Sequence, residues 1–135
     1  MERALALAVI AANAVALYLR NDAHTSLGVG LSPWQKGFVY TVIVPAPLVA
    51  GALVWGSRPV GYALLLVSLL GSLLFGVYHH FIAISSDHVD HLPAGDAQGL
   101  FRSTAWITAV LELAGVAIAG WALARGHDRT REPQA

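Results

Sequence analysis

The residues best suited to chemistry lie in one short stretch, between residues 78 and 91. This stretch holds four of the six histidines and two of the eight acidic residues of a 135-residue chain that is 56% hydrophobic. Imidazole and carboxylate groups are ligands for Zn²⁺, Fe²⁺, Mn²⁺ and Cu²⁺, whereas a chain without cysteine is poorly suited to Cu(I). We therefore predict a divalent metal site with ligands among the following residues: His79, His80, Asp87, His88, Asp90 and His91.

The spacing of these residues suggests how such a site would form. If the helix that carries His80 continues outward, then His80, Asp87 and His91 lie on one face, because their separations add up to three helical turns. His79 and Asp90 then form a neighbouring stripe. The alternative interpretation of the outer part of this stretch is a solvated loop, or a loop whose histidines titrate with pH.

Three residues outside the predicted ligand set are further candidates. His24 lies in the other polar connection on the same side and is a possible additional ligand. Asn13 and Tyr78 are candidate contacts to a bound cofactor, since both lie near the predicted depth of the histidines. Haem is a weaker candidate than a metal ion, because only one apolar run contains histidine and a second axial ligand would have to come from a loop or another subunit.

Glu112 is the only acidic residue in the middle of a long apolar run. It lies about 13 Å along the axis from the outer end of that run, at about 1.5 Å per residue, and so near the middle of a bilayer. A carboxylate there costs at least a few kcal/mol, about 2.5–3.5 on insertion scales, so we consider Glu112 a candidate catalytic or proton-accepting group. The alternative is a neutral side chain that hydrogen-bonds between helices.

The elements that must position these residues are four apolar runs. They predict an all-α integral membrane bundle with both termini on the same side, in which the lipid bilayer is the principal partner. A cleaved signal sequence is the alternative for the first run. The predicted helices and tail are residues 4–20, 33–55, 59–85 and 103–125, followed by a disordered tail over residues 127–135.

Rows of small and polar residues indicate which helix faces pack together, because lipid provides no hydrophobic drive between helices and small residues let backbones approach. Such rows repeat about every four residues on the first, third and fourth helices. They consist of Ala4, Ala8, Ala12 and Ala16; of Ser68, Ser72, Gly76 and His80; and of Thr104, Thr108, Glu112, Gly115 and Ala119.

The basic residues predict an orientation for the bundle. Five arginines lie on the side of the termini, against three basic residues on the other side, so the termini are expected to be cytoplasmic. Seven arginines to one lysine, with abundant Ala, Gly, Leu and Val, suggest a GC-rich prokaryote and thus its plasma membrane. A net charge of zero without a long basic run argues against nucleic-acid binding.

Three functions remain open at this point. The first is that the outer half of the bundle binds a divalent metal or small ligand for uptake, sensing or catalysis. The second is a structural or accessory subunit of a larger membrane complex, or a homo-oligomer, in which Asn13 and Glu112 bond between helices. The third is a component of a proton-coupled carrier that uses Glu112 as a relay.

Overall fold

The computed structural model describes residues 1–129. Two π-helical segments interrupt or extend the α-helices: residues 39–43 join α2 to α3, and residues 78–82 continue α4. No strand is found in these 129 residues. The helices are α1 (Glu2–Ser26), α2 (Pro33–Phe38), α3 (Pro45–Trp55), α4 (Pro59–Val77) and α5 (Gln98–Arg129).

Four helical units are long and apolar enough to cross a membrane, which confirms the predicted all-α membrane bundle. Their mean hydropathies range from 1.5 to 2.2. The start of α1 and the last turns of α5 lie at one end of the bundle, where Arg125 Nη1 donates to Glu2 Oε1 at 2.8 Å and Arg3 donates to Ser57 in the α3–α4 turn at 3.2 Å. We call the opposite end, which carries residues 27–32 and 83–97, the distal end. The four units are Glu2–Ser26, Pro33–Trp55, Pro59–Ile82 and Gln98–Gly126.

Several helix boundaries differ from the predicted ones. The first helix continues past residue 20 to Ser26, and the fourth begins at Gln98, because polar residues at both places still make helical hydrogen bonds. The third helical unit ends at Ile82 rather than near residue 85. The last helix extends to Arg129, and the rest of the predicted tail, residues 130–135, lies outside the described residues.

The second membrane-spanning unit begins and bends where its sequence predicts. Ser32 and Gln35 form a capping box, in which the Ser32 N–H donates to Gln35 Oε1 at 2.8 Å. Pro45 and Pro47 lack the N–H that an uninterrupted helix would use. The π-helical segment directly precedes them, with Val44 N–H donating to the Val39 carbonyl at 3.0 Å, five residues earlier.

Two apolar clusters form the interior, one toward each end of the bundle. The cluster near the termini contains Ala6, Ile10, Ala50, Val54, Leu65, Leu69 and Ala119. The cluster at the distal end contains Ala23, Leu27, Val29, Val89, Leu92, Phe101 and Ala105. Because Val89 and Leu92 belong to the second cluster, the loop of residues 83–97 packs onto the helices instead of extending into solvent.

The predicted packing rows on α4 and α5 are confirmed, since all of their residues are buried. The predicted row on α1 is wrong: Ala4, Ala8 and Ala12 are exposed. Alanine does not distinguish a lipid-facing from a protein-facing position, whereas polar side chains must face the interior. The buried face of α1 is therefore the face that carries Asn13 and His24.

Candidate metal centre and adjoining cavity

Three side chains from separate parts of the chain converge at the distal end. His24 comes from the last turns of α1, His80 from the π-helical end of α4, and Asp87 from the following loop. Asp87 Oδ1 lies 3.1 Å from His24 Nε2 and 3.3 Å from His80 Nδ1. One nitrogen or oxygen atom from each of the three residues lies within 4.8 Å of the other two, a grouping of the kind that holds metal ions in proteins.

The loop is held against the helices by hydrogen bonds to its backbone groups. Val89 N–H donates to the His80 carbonyl at 3.0 Å, and Arg102 Nε donates to the Val89 carbonyl at 2.8 Å. His80 Nδ1 also lies 3.0 Å from the Asp87 carbonyl. These bonds hold Asp87 against His80, at the end of the helical unit that continues α4.

Phe101 supports both histidine rings. Its ring centroid lies 4.8 Å from that of His24 and 5.4 Å from that of His80, and the residue is fully buried. Aromatic neighbours on this scale fix ring orientation by close packing. The two imidazoles are thus held in place by α5 as well as by their own helices.

The centre is buried, yet its polar atoms are incompletely paired. His24, His80 and Asp87 are 9%, 3% and 5% exposed. Within residues 1–129, neither carboxylate oxygen of Asp87 accepts a well-aligned hydrogen bond, and His24 Nδ1 has no partner. Most buried polar atoms in proteins are paired, so the two Asp87 oxygens are available to bind a cation.

Asp87 is held in its ionised form. Burial alone would raise the pKa of Asp87, but the nearby His24 and His80 nitrogens outweigh that effect and lower the pKa well below its usual range. A buried carboxylate that stays charged requires a compensating charge or a metal ion. The centre therefore presents the anionic oxygen that a cation would bind.

The spacing of the three residues suits a metal ion. Ligand bonds to zinc of about 2.0–2.2 Å place adjacent ligand atoms about 3–3.5 Å apart. The two separations from Asp87 Oδ1, 3.1 and 3.3 Å, fall in that range. Two histidines and one carboxylate are also the donor set of non-haem Fe(II) sites, and three protein ligands leave at least one coordination position open.

The other predicted ligands lie elsewhere. His79 faces α2, with its Nδ1 3.2 Å from Gln35 Nε2. His88 and His91 pair with each other near the surface, with 3.1 Å between their Nδ1 atoms, and Asp90 is exposed. Because the helix ends at Ile82, the predicted alignment of His80, Asp87 and His91 along one helix face does not form.

Tyr78 and Asn13 have different surroundings. Tyr78 is 54% exposed and packs edge-on against His79, with ring centroids 5.0 Å apart. Asn13 is buried and lines a cavity that also reaches the centre. His24, the third member of the cluster, was only a further candidate from the sequence, because hydropathy indicated that its helix ended at residue 20.

Glu112 lies in a polar layer next to the centre, but outside the three-residue group. It is 2% exposed, accepts a hydrogen bond from the Ser72 hydroxyl, and has Asn13 beside it. Arg20 spans the same layer, with Nη1 donating to Thr108 Oγ1 at 2.9 Å. These bonds connect α1, α4 and α5 within the bilayer region.

A cavity of about 250 Å³ adjoins the centre. One wall is α1 from Ile10 to His24, and the opposite wall is the second membrane-spanning unit from Val39 to Leu48. His24, His80 and Asp87 all line the end of this cavity. A metal ion held by these three residues would therefore lie next to the cavity.

Comparison with known protein families, with curated proteins and with solved structures finds no match to this chain. The chemistry of the centre therefore has to be inferred from its own residues. His24, His80 and Asp87 are buried and close together, and in the described residues His24 and Asp87 also carry polar atoms without a hydrogen-bond partner.

Proposed function

We propose that this protein binds a divalent transition-metal ion through His24, His80 and Asp87. The observation that carries this proposal is a buried, ionised carboxylate between two imidazoles, with no well-aligned hydrogen bond to either oxygen in the described part of the chain. A divalent ion would compensate the charge of Asp87 and pair its oxygens, with His24 binding through Nε2. His80 Nδ1 would give up its hydrogen bond to the Asp87 carbonyl when it binds the same ion.

The donor set favours Zn²⁺, Fe²⁺ or Mn²⁺. Imidazole with carboxylate suits these ions, and the chain has no cysteine to recruit a softer metal. Structural zinc sites use four protein ligands, whereas sites that act on a bound molecule keep a position open. With three ligands beside a cavity, the bound ion is available to a ligand, which supports catalysis or sensing over a purely structural role.

We further infer that the protein lies in the plasma membrane of a prokaryote, with cytoplasmic termini and the metal centre toward the exterior. The arginine bias toward the termini supports this orientation. Because the chain lacks cysteine, Arg58→Cys and His88→Cys can each be tested separately with an impermeant thiol reagent on intact cells. Labelling at position 88 only is expected, and labelling at position 58 only would reverse the orientation.

The metal proposal is tested by metal analysis of purified protein and by melting with added Zn²⁺, Fe²⁺ or Mn²⁺. At a metal concentration 100 times Kd, the stabilisation should be about 2.7 kcal/mol. His24→Ala, His80→Ala and Asp87→Asn should each abolish it. His88→Ala and His91→Ala are matched controls, since these histidines lie outside the group, and they should retain it.

Two results would refute the proposal. One is wild-type protein that carries no stoichiometric metal and whose melting none of the three ions changes. The other is loss of metal binding in His88→Ala or His91→Ala together with retained metal binding in His24→Ala. That result would show that the metal binds at the surface pair and not at the buried group.

A further inference from the structure

We propose that the cavity binds a long-chain fatty acid from the bilayer, with its hydrocarbon chain along α1 and its carboxylate at the metal centre. The headgroup part of this inference rests on the proposed metal site. The chain-binding part rests on the shape and lining of the cavity alone. The two parts can therefore be tested separately.

The cavity follows the length of α1. Its α1 wall runs from Ile10 to His24, which is about 21 Å at about 1.5 Å per residue. The facing wall contains Val39, Ile43 and Pro47, so this length is lined mainly by apolar side chains. A volume of about 250 Å³ spread over such a length suits one flexible chain better than a compact ring system.

The cavity has access to the lipid. Four residues that line it are exposed although they lie within membrane-spanning units: Tyr18, Tyr40, Val44 and Leu48 are 72%, 63%, 40% and 51% exposed. An exposed residue at that depth contacts hydrocarbon. A ligand can therefore enter sideways from the bilayer, without crossing an aqueous mouth.

The backbone of the second membrane-spanning unit explains why this space exists. The π-helical residues 39–43 and the two prolines that follow interrupt the regular helix beside the cavity. Pro45 and Pro47 leave carbonyl groups one turn earlier without their usual donors. Single π-helical turns occur often at functional sites, and the second one in this chain carries His80 itself.

The two ends of the cavity differ in polarity. Apart from Asn13, the charged and amide residues that line the cavity lie toward the distal half, where Arg20 and Asn21 join the metal centre. Arg20 is near both Asp87 and Glu112. When a divalent ion is bound at Asp87, the ion and the guanidinium together leave an excess of positive charge, which favours an anionic headgroup. A carboxylate is also a good ligand for the ions that suit this site.

The test measures binding of radiolabelled palmitate to the full chain in phosphatidylcholine nanodiscs, with and without Zn²⁺. Ala14 lines the cavity and is exposed, so Ala14→Trp fills the cavity without overpacking the protein core. This variant should bind palmitate at least about tenfold more weakly. Ala12 is exposed on the same helix but does not line the cavity, so Ala12→Trp should bind as the wild type does.

A competition experiment tests the headgroup. Hexadecanol has the same chain without the carboxylate and should compete at least about tenfold more weakly than unlabelled palmitate when Zn²⁺ is bound. Equal competition by hexadecanol, or equal palmitate binding by Ala14→Trp and wild type, would overturn the fatty-acid proposal. If Zn²⁺ does not bind while Ala14→Trp still blocks palmitate, the metal proposal fails and the chain-binding part stands.

Discussion

His80 and Glu112 are neighbours across Gly76. A methyl group placed on Gly76 would lie 3.9 Å from His80 Cδ2 and 4.0 Å from Glu112 Oε2. The candidate metal centre therefore lies next to the buried polar layer, and only Gly76, which has no side chain, separates them. A large side chain at this position would have to displace one or the other.

The first prediction compares two changes on α4. Gly76→Leu should destabilise the protein by about 1–3 kcal/mol, because it overpacks a site with room for little more than a methyl group. Leu74→Ala should cost much less, since Leu74 is 63% exposed to lipid. Thermal melting in detergent distinguishes them. Gly76→Ala is the matched control and should behave like the wild type.

A second prediction concerns close helix contact in the α3–α4 hairpin. A Cβ on Gly61 would lie 2.7 Å from the Val54 backbone nitrogen, which cannot move as a side chain can, so Gly61→Ala should cost about 1–3 kcal/mol. Gly71 is on the same helix with no atom within 4 Å of such a Cβ. Gly71→Ala should stabilise the helix by up to about 1 kcal/mol. Equal melting temperatures for both variants would contradict the close approach of α3 and α4 at Gly61.

The third prediction follows from the lowered pKa of Asp87 in metal-free protein. The pKa of this carboxyl is below its ordinary value of 3.8 in the folded state. Its contribution to stability is therefore complete above that ordinary value and is lost as pH falls toward the folded pKa. Between about pH 5 and pH 2, the unfolding free energy of wild-type protein should fall more steeply than that of Asp87→Asn. Parallel curves would show that Asp87 is not stabilised in its charged form.

The fourth prediction separates the roles of Glu112. Glu112→Gln retains a side chain that can bond to Ser72, so stability should change little, whereas Glu112→Leu should cost about 1–3 kcal/mol by leaving polar neighbours unpaired. Neither change should remove the metal, because Glu112 lies outside the three-residue group. Loss of metal from Glu112→Gln would show that this carboxylate is a ligand.

The membrane-spanning architecture was predictable from the sequence because apolar length and helix-start chemistry are local properties. The capping box at Ser32 and the buried rows on α4 and α5 were recovered in this way. Hydropathy, however, reports where lipid begins and not where helical hydrogen bonding ends. It therefore ended the first helix near residue 20 and left His24 in a loop.

The site itself depended on tertiary contacts that no periodicity encodes. The sequence indicated a cluster around His80 and Asp87, and it placed His91 with them by extending the helix. Val89 and Leu92 instead pack with Ala23 and the rest of the distal apolar cluster, which folds the loop back. This loop conformation brings Asp87 next to α1 and leaves His91 at the surface.

The positions of the three residues in the sequence determine when the centre can form during synthesis of the chain. A growing chain inserts the first hairpin with His24 in place, while His80 and Asp87 are still to be made. The proposed metal ion would therefore be held only after the second hairpin has entered the membrane and its loop has closed. Its occupancy would then report completed assembly of the bundle, and it would not assist insertion of the early helices.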